Sequence, residues 1–168
     1  MRRRPAIIDT NVVVAALLTA DSETPTARIL GGMIRGRLPF VLSVPLLAEY
    51  RRVLTRERIC ERHGLSSDEI DRLLSTIAAN AIVREPSSSE HTAPDPDDQH
   101  LWDLLFAVSD AVLVTGDARL LENASARTSV MLPRAFIDNP PRGLPTFEVS
   151  EAAPVFGPEH VARELEDR

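Results

Sequence analysis

Short apolar runs alternate along this chain with longer stretches whose hydrophobic residues recur every three or four positions. Residues 6–9, Ala-Ile-Ile-Asp, read as a buried strand, with an apolar helix over 12–20 behind it. Thr24-Pro25 opens a second helix to about residue 35, with Ala27, Leu30, Met33 and Ile34 on its apolar side. Proline suits a first helical turn, where its missing N–H would have no partner. A second strand is predicted over 40–43, then a helix over 43–55 with Leu46, Leu47, Tyr50 and Leu54 at helical spacing. Ser66-Ser67-Asp68-Glu69 signals the next helix start, and Ile70, Leu73, Leu74 and Ile77 share one of its faces. A third strand over 81–83 leads into a polar stretch over 86–96. Asp97-Asp98-Gln99 then begins a helix carrying Leu101, Leu104, Leu105 and Val108. A strand over 111–115, a short helix over 118–122 and a strand over 129–132 follow. This alternation implies βαβ units, hence an α/β fold with a mainly parallel central sheet flanked by helices. From Asn139 prolines break the pattern. We expect one domain over 1–138 and a Pro-rich, acidic C-terminal extension over 139–168, where Val161 and Leu165 mark one face of a terminal helix.

Composition changes this picture little. A chain of 168 residues, 43% of them apolar, has room for one domain with a proper core. No apolar run approaches the roughly 18 residues of a membrane span. Arg2, Arg3 and Arg4 resemble the start of a signal peptide, but Asp9 interrupts any hydrophobic region after them. The expectation is a soluble, cytoplasmic protein without membrane association. Cys60 is the single cysteine, which excludes an intrachain disulfide and a thiolate metal cluster.

Charge is unevenly spread. Residues 1–84 carry 13 arginines against 9 acids, and residues 85–168 carry 6 against 16. All 19 basic residues are arginine, a side chain that forms bidentate contacts to phosphate. Arg51, Arg52, Arg56, Arg58 and Arg62 cluster just after Glu49, either as a solvated helix face or as a track for a nucleic-acid backbone. The net charge of −6 neither requires nor excludes such a partner.

The acids carry the candidate chemistry. Asp9 and Asp117 each stand at the exit of a strand-like run, and ligands of open α/β sheets bind in the crevice beyond the carboxyl ends of the strands. Glu49 and the Asp95-Pro96-Asp97-Asp98 cluster offer further carboxylates. Two unit charges roughly 5 Å apart repel by about 3 kcal/mol at an effective dielectric near 20. A hard divalent cation with oxygen ligands is the leading candidate to offset that. Each acid also has a plainer reading: Asp9 and Asn11 favour helix caps, Asp97, Asp98 and Asp117 can simply begin helices, and Glu49 alone would be a solvated residue.

Taken together, Ile-Asp-Thr-Asn-Val at 8–12, Glu49 early in a helix, Asp-Pro-Asp-Asp at 95–98 and Val-Thr-Gly-Asp at 114–117 resemble the PIN-domain nucleases. The nearest likeness is to their bacterial branch of toxin components from toxin–antitoxin pairs. It covers about residues 5–138; Thr-Gly-Asp alone occurs widely by chance, but four pieces in matching order and spacing do not. The resemblance implies a three-layer PIN-like fold and a catalytic, metal-holding set of Asp9, Glu49, Asp98 and Asp117. Asn11 and Thr115 would support these acids, and Asp97 would replace or assist Asp98. It also implies one or two Mg²⁺ or Mn²⁺ ions, an RNA substrate cut by phosphodiester hydrolysis, a cognate antitoxin and a homodimer. Four acids without a clustered His or Cys set suit Mg²⁺ better than zinc. His63, His91, His100 and His160 lack ligand spacing and read as surface or packing residues, and Trp102 as core.

The chain departs from that pattern in places. Gln99 stands where relatives often have Asn, Ser109-Asp110 replaces a glycine-containing turn, and Arg119 sits where a further acid sometimes follows. Arg119 either weakens a second metal site or touches the scissile phosphate. Two rivals remain: a catalytically silent PIN-like binding module acting through a protein partner, and an aspartate-nucleophile phosphatase. The latter usually wants a second Asp where Asn11 stands.

Overall fold

The computed structural model describes residues 4–123 and 129–142. Five short strands carry the fold: β1 (Ala6–Ile8), β2 (Val41–Leu42), β3 (Ile82–Val83), β4 (Val112–Val114) and β5 (Ser129–Met131). β1 pairs with β4 and β4 with β5, all parallel, while β2 and β3 form a second parallel pair. A single bridge between Ala6 and Phe40, with Ala6 N–H donating to the Pro39 carbonyl at 2.9 Å, joins the two sets. The spatial order is therefore β3-β2-β1-β4-β5. From β1 the chain first builds outward through β2 and β3, then crosses back to build β4 and β5 on the other side. The switch point falls between β1 and β4.

Helices connect and flank these strands: α1 (Thr10–Leu18), α2 (Pro25–Ile34), α3 (Val44–Leu54), α4 (Glu57–His63), α5 (Ser67–Asn80), α6 (Gln99–Ala107), α7 (Ala118–Glu122) and α8 (Pro133–Asp138), with a 3₁₀ turn over Pro96–Asp98. Most starts follow from capping chemistry. Thr24 accepts from Ala27 N–H ahead of Pro25, Ser43 from Leu46 N–H ahead of Pro45, and Ser66 and Glu69 form a reciprocal capping box. α1 begins at Thr10, two residues earlier than its apolar pattern indicates, because Asp9 itself is the cap.

The sheet interior is dry. Ala6 to Ile8 and Val112 to Val114 are wholly buried, as parallel strands covered by helices require. Around them pack Leu30 and Met33 of α2, Leu46 and Tyr50 of α3, Ile70, Leu73 and Ile77 of α5, and Leu101 and Trp102 of α6. The fully buried Tyr50 donates its hydroxyl to the Ile8 carbonyl and so ties α3 to the end of β1. β3 lies at the sheet edge, with Ile82 and Val83 exposed.

Two helices are absent from the sequence expectation. α4 follows α3 after a break at Thr55 and Arg56 that neither proline nor glycine marks, so one basic run spans two helices. Gly64, at φ 72°, then ends α4 in the left-handed conformation that glycine accepts most easily. α8 is only six residues long, too short for a readable period, although Pro133 opens it and Phe136 is completely buried. The expected extension and terminal helix over 139–168 lie almost entirely outside the described residues. No helix among the described residues is long and apolar enough to cross a membrane.

Candidate active site

The parallel register places the first part of the site. Ile8 pairs with Val114, so Asp9 and Thr115 are neighbours one step beyond the sheet. Asp9 N–H donates to the Val114 carbonyl at 3.0 Å, and Thr115 N–H to the Met131 carbonyl at 3.0 Å. Both side chains turn toward the switch point. Thr115 Oγ1 donates to Asp9 Oδ2 at 2.7 Å, and Asn11 Nδ2 to the same oxygen at 3.1 Å. Asp9 Oδ1 accepts from Thr10 N–H at 2.7 Å. Asn11 Oδ1 accepts from Gly116 N–H, and Thr115 Oγ1 from Asp117 N–H, each at 3.0 Å. Asp9 is only 6% exposed and Thr115 is fully buried. Burial raises the Asp9 carboxyl above its usual range; the bonds from Thr115 and Thr10 oppose that, and Glu49 and Asp117 add to it.

Glu49 arrives from α3. It accepts a hydrogen bond from the Thr10 hydroxyl, and Arg52 Nη2 lies 3.6 Å from its Oε1. His100 Nε2 stands 3.6 Å from Glu49 Oε2, beyond ordinary hydrogen-bond length. His100 holds Glu49 below the usual carboxyl range; burial opposes this, while Thr10 and Arg52 reinforce it.

The third contribution comes from the segment over 95–98. Asp95 Oδ1 accepts from Asp97 N–H at 2.9 Å and turns the chain into α6. Gln99 fixes this turn: its Oε1 accepts from Ala93 N–H, and its Nε2 donates to the His91 carbonyl and to Asp103 Oδ1, each at 2.9 Å. Asp98 faces inward, half-buried, whereas Asp97 is exposed. The Asp98 carboxyl is pushed up to about 6 by burial and then by the charges of Asp9, Asp95, Asp117 and Glu49. All four charges act on it in the same direction, favouring the protonated form.

Asp117 caps α7 by accepting from Arg119 N–H at 2.9 Å. The Arg119 guanidinium returns to the same carboxylate, with Nη2 3.0 Å from Oδ2, and reaches Asp95 Oδ2 with Nη1 at 3.3 Å. This guanidinium holds Asp117 below the usual range.

One cleft of about 470 Å³ is lined by Asp9, Asn11, Glu49, Asp97, Asp98 and Asp117. All the acids singled out in the sequence therefore meet at one place, with Thr115 behind Asp9. Sequence reasoning gave no site role to three others: Thr10 bonds Glu49, Gln99 braces the turn before α6, and His100 faces Glu49 instead of serving as packing. Asp95, already among the candidate carboxylates, lines the cleft beside Arg119. His63 and His91 do pack, the first between the Leu54 carbonyl and Leu65 N–H, the second against Phe106. No local pattern marked the site roles of Thr10, Gln99 and His100, since residues two apart, such as Asp98 and His100, point to different sides of a helix.

The donor set suits a hard divalent cation: carboxylate oxygens, backed by hydroxyl and amide groups, in a cleft where acids outnumber the arginines Arg52, Arg56 and Arg119. Among the described residues no three acids or imidazoles already close around a single point, and Arg119 spans two of the acids.

A parallel α/β domain with an acidic cleft at its topological switch point is the class that fold and site define. The PIN domain model matches residues 5–119, and the chain belongs to that family, whose members are generally metal-dependent nucleases. No curated protein and no solved structure matches the chain significantly.

Proposed function

We propose that this chain is a Mg²⁺- or Mn²⁺-dependent endoribonuclease and the toxin of a toxin–antitoxin pair. The convergence of Asp9, Glu49, Asp98 and Asp117 on one cleft supports the nuclease reading most. When bound, one or two such ions supply charge relief at the phosphate and an activated water. Asp9, with Oδ2 held by Thr115 and Asn11, is the anchor, and Asp98 and Asp117 complete the oxygen set. Glu49, steadied by Thr10 and His100, either joins that set or orients the attacking water. Asp9 and Glu49 are kept in place before any ligand arrives, which is how a positioned site lowers a barrier.

The test is hydrolysis of a single-stranded RNA with Mn²⁺ supplied. Wild type should cut it, EDTA should stop it, and Asp117→Asn should be inert while melting as wild type does. Cleavage at wild-type rate by Asp117→Asn would remove that acid from the machinery. The toxin role has its own test: expression should arrest growth, and co-expression of the product of an adjacent gene should relieve the arrest.

The Arg119–Asp117 pair gives some support to a second reading, a silent binding module. Calorimetry decides, since such a module would take up no Mn²⁺ at millimolar concentration.

A further inference from the structure

Among the cations near the cleft, Arg119 behaves unlike the others. Arg52 touches one oxygen of Glu49 at 3.6 Å, and Arg56 lines the cleft without an ion pair to any described acid. Arg119 instead engages both oxygens of Asp117, with Nη2 at 3.0 Å from Oδ2 and Nε at 3.4 Å from Oδ1, and holds Asp95 with its remaining nitrogen at 3.3 Å. Its side chain is 64% exposed, so the packing around it does not lock it there. The fork matches carboxylate geometry, which an ammonium group cannot reproduce. The two acids it spans come from different segments, the turn before α6 and the cap of α7. The guanidinium thus joins them across the mouth of the cleft.

We propose that Arg119 is a built-in counter-ion that a divalent cation must displace from Asp117, so that this arginine sets how tightly the cleft holds metal. The inference rests on the metal-site reading of the cleft. A cation and a guanidinium cannot share the same lone pairs, and a solvent-exposed ion pair is weak enough to be exchanged. Arg119 lowers the repulsion among the acids while the cleft is empty and competes with the ion that fills it.

The test is calorimetric titration of the full-length, EDTA-stripped protein with Mn²⁺. Arg119→Ala should bind roughly three- to fivefold more tightly than wild type, the range an exposed pair allows. Arg119→Lys keeps the charge but loses the fork, and should fall between the two. Arg56→Ala removes one charge from the same cleft without breaking a pair, and should tighten binding less than Arg119→Ala. Equal or weaker binding by Arg119→Ala overturns the inference, as does equal tightening by Arg56→Ala. If wild type binds Mn²⁺ and Arg119→Ala merely matches it, this inference alone fails and the nuclease reading stands. If neither binds at millimolar Mn²⁺, both fail. If Arg119→Ala binds more tightly yet no variant cuts RNA, the counter-ion stands and the nuclease reading falls.

Discussion

Asp9 and Asp117 both lie beyond the carboxyl ends of paired strands, Asp9 directly after β1 and Asp117 after Thr115 and Gly116, yet live in different surroundings. Each follows a buried three-residue strand of one parallel pair, and each caps the helix that comes next. Asp9 sits behind α1 with its oxygens held by Thr10, Asn11 and Thr115, none of them charged. Asp117 sits at the rim, held by the guanidinium of Arg119. Burial pushes the first carboxyl up and a cation pulls the second down. Two strand exits thus yield a fixed oxygen and an exchangeable one. A site that must take up an ion and then orient it has use for both: the fixed group sets the place, and the exchangeable one sets the affinity.

That contrast breaks most visibly at the buried end. Asp9→Asn should abolish RNA cleavage and cut Mn²⁺ affinity by more than the roughly 10–100-fold that a supporting partner commands. Asp117→Asn should abolish cleavage too, but with a smaller loss of Mn²⁺ affinity, because wild type must first release Arg119. Calorimetry on both variants measures the difference, and equal losses would erase the distinction between anchor and rim. Asp9→Asn should still fold, since an amide oxygen can accept from Thr10 N–H. Its stability should stay within about 1–2 kcal/mol of wild type, the usual scale of one altered buried hydrogen bond.

Thr115→Val comes next. It is isosteric, reaches no ligand, and removes both the donor to Asp9 Oδ2 and the acceptor of Asp117 N–H. Mn²⁺ affinity should fall about 10–100-fold, and Thr115→Ser should restore most of it. Failure of serine to rescue would mean that the threonine methyl, not its hydroxyl, supports Asp9.

Asp98 gives an effect of opposite sign. Its carboxyl titrates at about 6 in the fold against an ordinary value of 3.8. Between these values the folded state binds more protons than the unfolded one, so stability without metal is lost as pH rises from about 4 to 6. Asp9, raised in the same direction, adds to that slope. Glu49 and Asp117, both lowered, act at more acid pH, where their stabilisation fades as they protonate. Asp98 is partly exposed, so screening reduces the effect to about 1 kcal/mol. Asp98→Asn should therefore raise the melting temperature at pH 7 in EDTA and flatten the pH dependence. Saturating Mn²⁺ should stabilise wild type more than Asp98→Asn.

How much of this was legible in the residues depended on the range of the interactions involved. Buried parallel strands are written as unbroken apolar runs, and caps as single polar residues, so β1, β4 and the starts of α2, α3 and α5 could be read locally. The break between α3 and α4 leaves no such mark, because neither Thr55 nor Arg56 is a residue that must end a helix, as proline or glycine would. The same limit applied at the site. Asp9 and Asp117 were visible from their strands, whereas the roles of Thr10, His100, Gln99 and Asp95 depend on partners 39, 51, 6 and 24 positions away. Asp97 and Asp98 could not be ranked from order alone, since adjacent carboxylates differ only in which way the first turn of a helix points them.

That ranking is where the smallest effect is expected. Asp97 is exposed, its backbone N–H is taken by Asp95, and it is not among the charges that raise Asp98. Asp97→Asn should change Mn²⁺ affinity and cleavage by less than about threefold, within the range of an exposed charge acting through solvent. Asp98→Asn at the adjacent position should cost far more, because four other carboxylates already act on its charge. If instead Asp97→Asn proved the more damaging, the turn over Pro96–Asp98 would have to rotate when the cleft fills. The inward position would then belong to Asp97 in the working state, and the exchangeable side of the cleft would extend from Asp117 across to α6.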